Sequence, residues 1–319
     1  MKLIIQIPCL NEEQTLPQVL KEIPKEIKGI KKIEIVIIDD GSTDKTAEIA
    51  KKHGCTVLKH KKNKGLGYAF KTGLEYAIEE GADILVNTDA DNQYPSKYIE
   101  KIIQPIIKNE ADVVISDRQT QKIKHFSPIK KFFQKIGSAF VRKLTKTKVN
   151  DTVSGFRAYN KNAMYNIHIT TKFSYVLDTI MQLSKKNMKI VNVPITTNKP
   201  TRKSRLFKNM FQHIKKSGMN ILRLYAVYEP FKTFAALSAI FLLPGLFLAF
   251  RFIYFFAQGQ GDGRIQSLIA TAILIITAVI LFTLGIIGEL LKTNRMLIEE
   301  QYTFNKKAKY EKNKKQNTR

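Results

Sequence analysis

Two stretches near the C-terminus, residues 234–250 and 266–288, contain no charged side chain. Both are apolar on every helical face, which disfavours reading them as core helices of a soluble domain. A helix of roughly 20 apolar residues spans a bilayer, so both are read as transmembrane spans. The first continues past Arg251 through Phe256, with Pro244 expected to kink it and Arg251 to reach the far interface. The short loop between them, residues 258–264, holds one basic residue, Arg264, whereas the other flanks are rich in Lys and Arg. The positive-inside rule then puts residues 1 to about 230 and the tail in the cytoplasm of a two-span cell-membrane protein. Residues 2–7 open a strand at once, so no cleavable leader is expected. The tail after Tyr302 is mostly charged and polar, and loss of order is expected near its end.

Ahead of the spans, strands alternate with helices. Residues 3–7, 33–38, 55–58, 84–87 and 113–115 read as strands. Residues 12–27, with Asn11 as N-cap, a segment through His53 capped by Ser42 or Thr43, and residues 68–80 read as helices. This alternation predicts an α/β domain with a largely parallel sheet. Residues 128–149 and 206–228 are basic and amphipathic. Ile129, Phe132, Phe133, Ile136, Phe140 and Leu144 stripe the first, and Phe207, Met210, Phe211, Ile214, Ile221, Leu222 and Tyr225 the second. The second leads into a span and reads as an interface helix. The first fits an interface or the sheet equally well. Cys9 and Cys55 read as core packing.

Lys and Arg number 53 against 27 Asp and Glu, a net charge of +26 that calls for anionic partners. The spans and their flanks account for much of that charge. No aromatic-basic signature for nucleic acid is visible, so nucleic acid is not expected as a partner.

Asp89-Ala90-Asp91 follows the apolar strand at residues 84–87. Ligands of parallel α/β sheets sit at the carboxyl ends of strands. Two carboxylates there suit a hard divalent cation that bridges to substrate phosphates, which suggests a diphosphate-bearing nucleotide sugar. Pro8-Cys9-Leu10-Asn11-Glu12 and Asp39-Asp40-Gly41-Ser42-Thr43-Asp44 follow the first two strands, and Asn63-Lys64-Gly65 precedes the third helix. Each alone could be a turn or cap, but all share one sheet edge.

With the segments at 117–118, 151–159, 173–178, 202–206 and 288–300, these motifs resemble family-two glycosyltransferases of GT-A fold. The resemblance is to the dolichol-phosphate mannose and polyprenol-phosphate sugar synthases, and it runs to about residue 305. It implies a Rossmann-like, mostly parallel sheet with flanking helices, amphipathic interface helices and a two-helix transmembrane hairpin. The implied division is a catalytic domain at 1–205, interface helices at 206–230, spans at 231–257 and 266–291, and a cytoplasmic basic tail at 292–319.

The resemblance also implies roles. Pro8, Asn11, Glu12, Asp40, Lys64 and Asp89 should hold the donor, and Asp89, Asp91 and Gln93 should hold Mg2+ or Mn2+. Arg118, Arg202 and Arg205 should bind phosphate, with Ser154, Asp151 and Asp178 on the acceptor side. Asp91, Asp151 and Arg118 are the candidate catalytic group. The expected reaction inverts a sugar from a UDP-, GDP- or dTDP-linked donor onto a polyprenyl (dolichyl-type) phosphate, among membrane lipids; a homo-oligomer is compatible. The pattern departs from many relatives at Asn92 and Tyr94 and in carrying Asp178 rather than Glu, so the sugar stays open. With 0 Trp, the chain lacks the Gln-x-x-Arg-Trp motif of processive synthases. Transfer to a lipid without phosphate, such as diacylglycerol, and a catalytically silent membrane scaffold are the alternatives.

Overall fold

The computed structural model describes residues 1–120, 128–169, 175–198, 218–219, 223, 225–260 and 265–316. It divides into two units, Met1–Ile214 with Glu300–Arg319, and Lys215–Glu299.

The first unit is built on seven strands: β1 (Lys2–Cys9), β2 (Lys32–Asp39), β3 (Thr56–Lys59), β4 (Ile84–Asn87), β5 (Val113–Asp117), β6 (Arg157–Asn160) and β7 (Ile190–Pro194). They form one sheet in the order β3-β2-β1-β4-β6-β5-β7. β6 runs antiparallel to β4 and β5, and the other pairs are parallel. The expected mostly parallel sheet is therefore present. β6 and β7, which the sequence reading passed over, complete it.

Burial alternates along the strands with period two. Leu3, Ile5, Ile7, Ile37, Ile84 and Val86 pack in one core, with residues of α1 (Leu16–Glu22) and α4 (Ile99–Ile107). Ile4, Val36, Ile38 and Leu85 pack in a second, with α3 (Leu66–Glu79), α6 (Lys161–Tyr165) and α7 (Val176–Lys185). Gln6 and Asn87 follow the even-numbered side of β1 and the Leu85 side of β4, so two amides lie within an otherwise apolar layer.

Several helix ends differ from expectation. α1 is Leu16–Glu22 rather than 12–27. Pro17 sits in its first turn, and Pro24 forces Ile23 into an extended conformation (ψ 128°) that stops it. Asn11 is no N-cap; it adopts φ 55°, in the turn that leaves β1. α2 (Thr46–Lys52) starts beyond Ser42 and Thr43, because Ser42 Oγ is used by Asn11 N (2.9 Å). α5 (Pro128–Thr145) is the first amphipathic segment. Over its second half the buried side is Ser138, Val141 and Thr145, while Phe140 and Leu144 of the expected stripe are only half-buried. Hydroxyls explain the offset: Ser138 bonds Thr152 (3.2 Å) and Thr145 bonds Thr147 (2.8 Å). Most of the second amphipathic segment lies outside the described residues.

In the second unit, α8 (Pro230–Ala257) and α9 (Ile265–Gln316) are the two long helices, each with an 18-residue apolar stretch, of mean hydropathy 2.1 and 2.7. Both are long and apolar enough to cross a membrane. Pro244 lies inside α8. The helices meet through small residues: Ser238 Oγ donates to Ala278 O (2.8 Å), and a Cβ on Gly288 would stand 2.7 Å from Pro230 Cβ. Close backbone approach is how helices pack where the hydrophobic effect does not drive them together. Leu243, Phe247 and Phe250 are each 68 % exposed, an expensive surface in water and a neutral one in lipid.

The tail departs from expectation. α9 stays helical through Gln316, and its last turns, from Glu300, belong to the first unit. There Thr303 is buried and bonds His168 Nε2 (3.0 Å), and Lys306 Nζ donates to Ile167 O (2.9 Å).

Candidate active site

β1, β2 and β4 release their chains at one edge, in register: Cys9 pairs with Asp39, and Gln6 with Asn87. The loops after β1 and β2 are laced together. Asn11 Oδ1 accepts from Thr43 N (2.8 Å), Thr46 Oγ1 from Glu12 N (2.8 Å), Asp44 Oδ2 from Glu13 N (3.1 Å), and Glu13 Oε2 from Lys45 N (3.0 Å). Burial opposes the Asp44 charge, but bonds from Thr46 and Glu13 outweigh it and hold its carboxyl below the usual value. Asn11 and Glu12 are thus loop fasteners in the structure, and Pro8 is half-buried at the end of β1.

Asp40 is filled from within. It is 5 % exposed, and it accepts from Lys64 N (2.9 Å), Gly65 N (2.8 Å) and His60 Nδ1 (2.6 Å). It fastens the loop ahead of α3 and has little capacity left for a donor, contrary to expectation. Its neighbour Asp39 is fully buried: Oδ1 takes Ser42 N (2.7 Å), while Oδ2 has no hydrogen bond and stands 3.6 Å from Lys59 Nζ. Lys64 contributes its backbone to Asp40, and its side chain is exposed.

Beyond β4, Asp89 and Asp91 are half-buried. Asp91 Oδ1 accepts from Gln93 N (3.1 Å), an Asx turn that fixes the carboxylate against its own backbone. Asn92 takes φ 57° to make this turn, and Gln93 O accepts from Asn198 N (3.0 Å). Asp89 lies against Gly155: a Cβ there would meet both carboxylate oxygens at 3.3 Å. Only glycine allows this approach.

Arg118 and Asp151 form a fork. Nε and Nη2 donate to Oδ2 (2.6 Å) and Oδ1 (2.9 Å), with Asp151 1 % exposed. Burial opposes the Arg118 charge, but Tyr94, Asp151 and Asp89 outweigh it and raise its pKa. The guanidinium is therefore permanently charged and close to Asp89. Asp151, expected on the acceptor side, is committed to this pair. Ser154 does not present its hydroxyl to an acceptor either; it is fully buried and bonds Ser116 Oγ (2.7 Å). Asp178 is buried in the first turn of α7. Arg202 and Arg205 lie outside the described residues.

Among the described residues, no cluster of three or more His, Cys, Asp or Glu is arranged to hold a metal. The carboxylates of Asp89 and Asp91 are the hard donors that follow β4. Two carboxylates fit a cation that takes its remaining ligands from water and substrate phosphates.

The family model described as "Glycosyl transferase family 2" matches residues 4–167, just over half of the chain. The chain belongs to glycosyl transferase family 2. It is 33 % identical over 214 residues to a UDP-N-acetylglucosamine–dolichyl-phosphate N-acetylglucosaminyltransferase of Methanococcus voltae, covering 60 % of this chain and 83 % of that one. It is 31 % identical over 205 residues to a dolichol-phosphate mannosyltransferase of Pyrococcus furiosus, covering 61 % of this chain and 56 % of that one. Glucosyl-3-phosphoglycerate synthase of Mycobacterium tuberculosis, solved with Mn2+, UDP and phosphoglyceric acid, shares the fold: TM-score 0.53, 18 % identity, 69 % of this chain and 78 % of that one. The GT-A fold and glycosyltransferase class implied by the motifs therefore hold.

The sequence reading of this family-two site held Asp39 and Arg157 within its motifs without giving either a role, and it missed His60 and the layer beneath Asp89. Arg157 is fully buried and donates to Thr152 O (3.0 Å), Ser154 O (2.7 Å) and Val176 O (2.7 Å), tying the 152–154 loop to α7. A charged residue at the start of a buried strand was the available signal.

Proposed function

We propose that this glycosyltransferase moves a sugar from a nucleotide-sugar donor to a polyprenyl phosphate, with inversion at the anomeric carbon. The carrying observation is the Asp89–Asp91 carboxylate pair at the sheet edge of a chain that also bears two helices able to cross a membrane. The dolichyl-phosphate transferases among its relatives support the acceptor class.

Asp89, Asp91 and Gln93 are the residues that would hold Mg2+ or Mn2+ with the donor diphosphate. The cation would offset charge developing on the departing nucleoside diphosphate. Asp39 Oδ2, a buried carboxylate oxygen without a hydrogen bond at the end of β2, is the acceptor proposed for a base N–H or ribose hydroxyl. Asn11, Glu12, Asp40 and Lys64 shape the loops around it. A lipid phosphate oxygen attacks sugar C1; the new C1–O bond forms as the bond to the diphosphate breaks. A phosphate monoester is already largely ionised at neutral pH, so no strong base is required. Asp151 can then serve to orient Arg118, whose fixed charge suits phosphate. Arg202 and Arg205 would add to that charge. The catalytic unit and tail are cytoplasmic in this reading, because the basic flanks lie on their side of the spans.

Asp91→Ala should abolish transfer while leaving membrane insertion intact. Unchanged turnover in that variant would sink the metal assignment.

A further inference from the structure

Beneath Asp89, three buried polar side chains converge on the backbone of Gly155, and a fourth, Gln6, backs one of them. Gly155 O accepts from Asn87 Nδ2 (2.9 Å) and from Tyr175 Oη (3.2 Å). Gly155 N donates to Tyr94 Oη (3.2 Å). Asn87 Nδ2 also donates to Tyr175 Oη (2.7 Å), and Asn87 Oδ1 accepts from Gln6 Nε2 (2.8 Å). Gln6 and Asn87 are fully buried, and Tyr175 and Tyr94 are 1 % and 5 % exposed.

Polar groups at this depth cost stability unless they are bonded; apart from Gln6 Oε1, which has no hydrogen bond, these four side chains are bonded, and such a network rigidifies what it surrounds. β4 and β6 are already joined by their ladder from Ile84–Asn160 to Asn87–Arg157, so the sheet needs no such layer to close. What the layer does fix is Gly155, whose open side faces Asp89: a Cβ placed there would stand 3.3 Å from both carboxylate oxygens. The Tyr175 ring stacks on Phe70, with centroids 3.9 Å apart and planes 6° apart, so the hydroxyl is delivered by a rigid ring. Burial, and then the Asp89 charge, push the Tyr175 phenol well up; it stays protonated and able to donate.

We propose that Tyr175 and Asn87 are positioning residues for the donor cation: through Gly155 they hold the Asp89 carboxylate in the orientation that binds the metal. This rests on the metal reading above. Tyr175 immediately precedes α7, so the same hydroxyl joins the start of that helix to the metal-binding turn. Groups that orient a metal ligand typically matter roughly tenfold or more in metal affinity.

The test is Mn2+ binding, read by electron paramagnetic resonance on the full chain in detergent. Whichever of UDP, GDP and dTDP binds the wild type best is held at saturation. Tyr175→Phe keeps the stack on Phe70 and removes only the hydroxyl. It should weaken Mn2+ binding roughly tenfold and leave metal-free nucleotide binding within about twofold. Mn2+ binding equal to wild type, or weakened only in step with metal-free nucleotide binding, would overturn the proposal and leave the layer a purely structural one. Tyr94→Phe, which deletes the bond to Gly155 N, should weaken Mn2+ in the same direction, and it decides the matter if Tyr175→Phe does not fold. Failure of the underlying reading looks different: the wild type itself would bind no Mn2+, or Asp91→Ala would bind it normally.

Discussion

Asp151→Asn isolates the fork with Arg118. The change keeps volume and removes the charge that two guanidinium nitrogens, at 2.6 and 2.9 Å, depend on. The side chains are 1 % and 15 % exposed, so water cannot replace the lost partner on the Asp151 side. Breaking a buried pair by removing one partner costs about 3 kcal/mol. In a domain of this size that corresponds to a fall of roughly 6–12 °C in unfolding temperature. Arg118→Met and Asp151→Leu should each cost a similar amount, and the double variant carrying both should cost far less than their sum. A coupling of about 2 kcal/mol or more is expected. The chain offers a convenient reporter. Its 2 cysteines, Cys9 and Cys55, are both free and buried in the catalytic unit, so a thiol-reactive fluorogenic dye follows unfolding of that unit in detergent. Additive costs, or an Asp151→Asn variant within about 1 kcal/mol of wild type, would refute the fork as a buried ion pair. Asp151 would then be available to position the acceptor, as the sequence reading expected.

Truncation after Glu299 removes Thr303 and Lys306, whose bonds to His168 and Ile167 are worth about 1 kcal/mol each. The same dye assay should read a fall of roughly 4–8 °C; no change would mean that the tail does not support the catalytic unit. Glu34 joins β2 to Tyr76 of α3 and to Lys2, and although burial opposes its charge, these bonds hold its carboxyl below the ordinary 4.5. Its stabilisation is therefore present above pH 4.5 and lost as pH falls through the lower folded value. Glu34→Gln should be less stable by about 1 kcal/mol at pH 7, with the gap closing below pH 4.5 in acid unfolding curves; a gap independent of pH would contradict the ionic origin.

The regular parts of the fold were legible because burial leaves a pattern. Strands β1, β2 and β4 are near-continuous apolar runs, and the two long helices each hold a long charge-free stretch. Helix starts were not, because prolines and polar side chains decide them locally: Pro17 and Pro24 shorten α1, and Ser42 serves Asn11 rather than α2. β6 was hidden because it is short, antiparallel, and opens with Arg157, whose burial is sustained by carbonyls from the 152–154 loop and α7. The carboxylates of the site were visible as motifs, but their individual duties were not. Asp39 and Asp40 are adjacent in sequence, yet only the backbone of residues 64 and 65 decides which of them is filled. Gln6 and Asn87 could have been noticed as amides within apolar strands, a signal that buried polar groups have partners elsewhere. Their partners, Gly155 and Tyr175, come from segments that no local pattern connects to them.

The most direct test of the account is transfer in detergent, with Mg2+ or Mn2+, a panel of UDP-, GDP- and dTDP-sugars, and a prenyl phosphate offered beside diacylglycerol. The account predicts sugar on the prenyl phosphate, from one nucleotide class, with inverted anomeric configuration and loss of product in EDTA. Sugar on diacylglycerol, or product undiminished by EDTA, would contradict it.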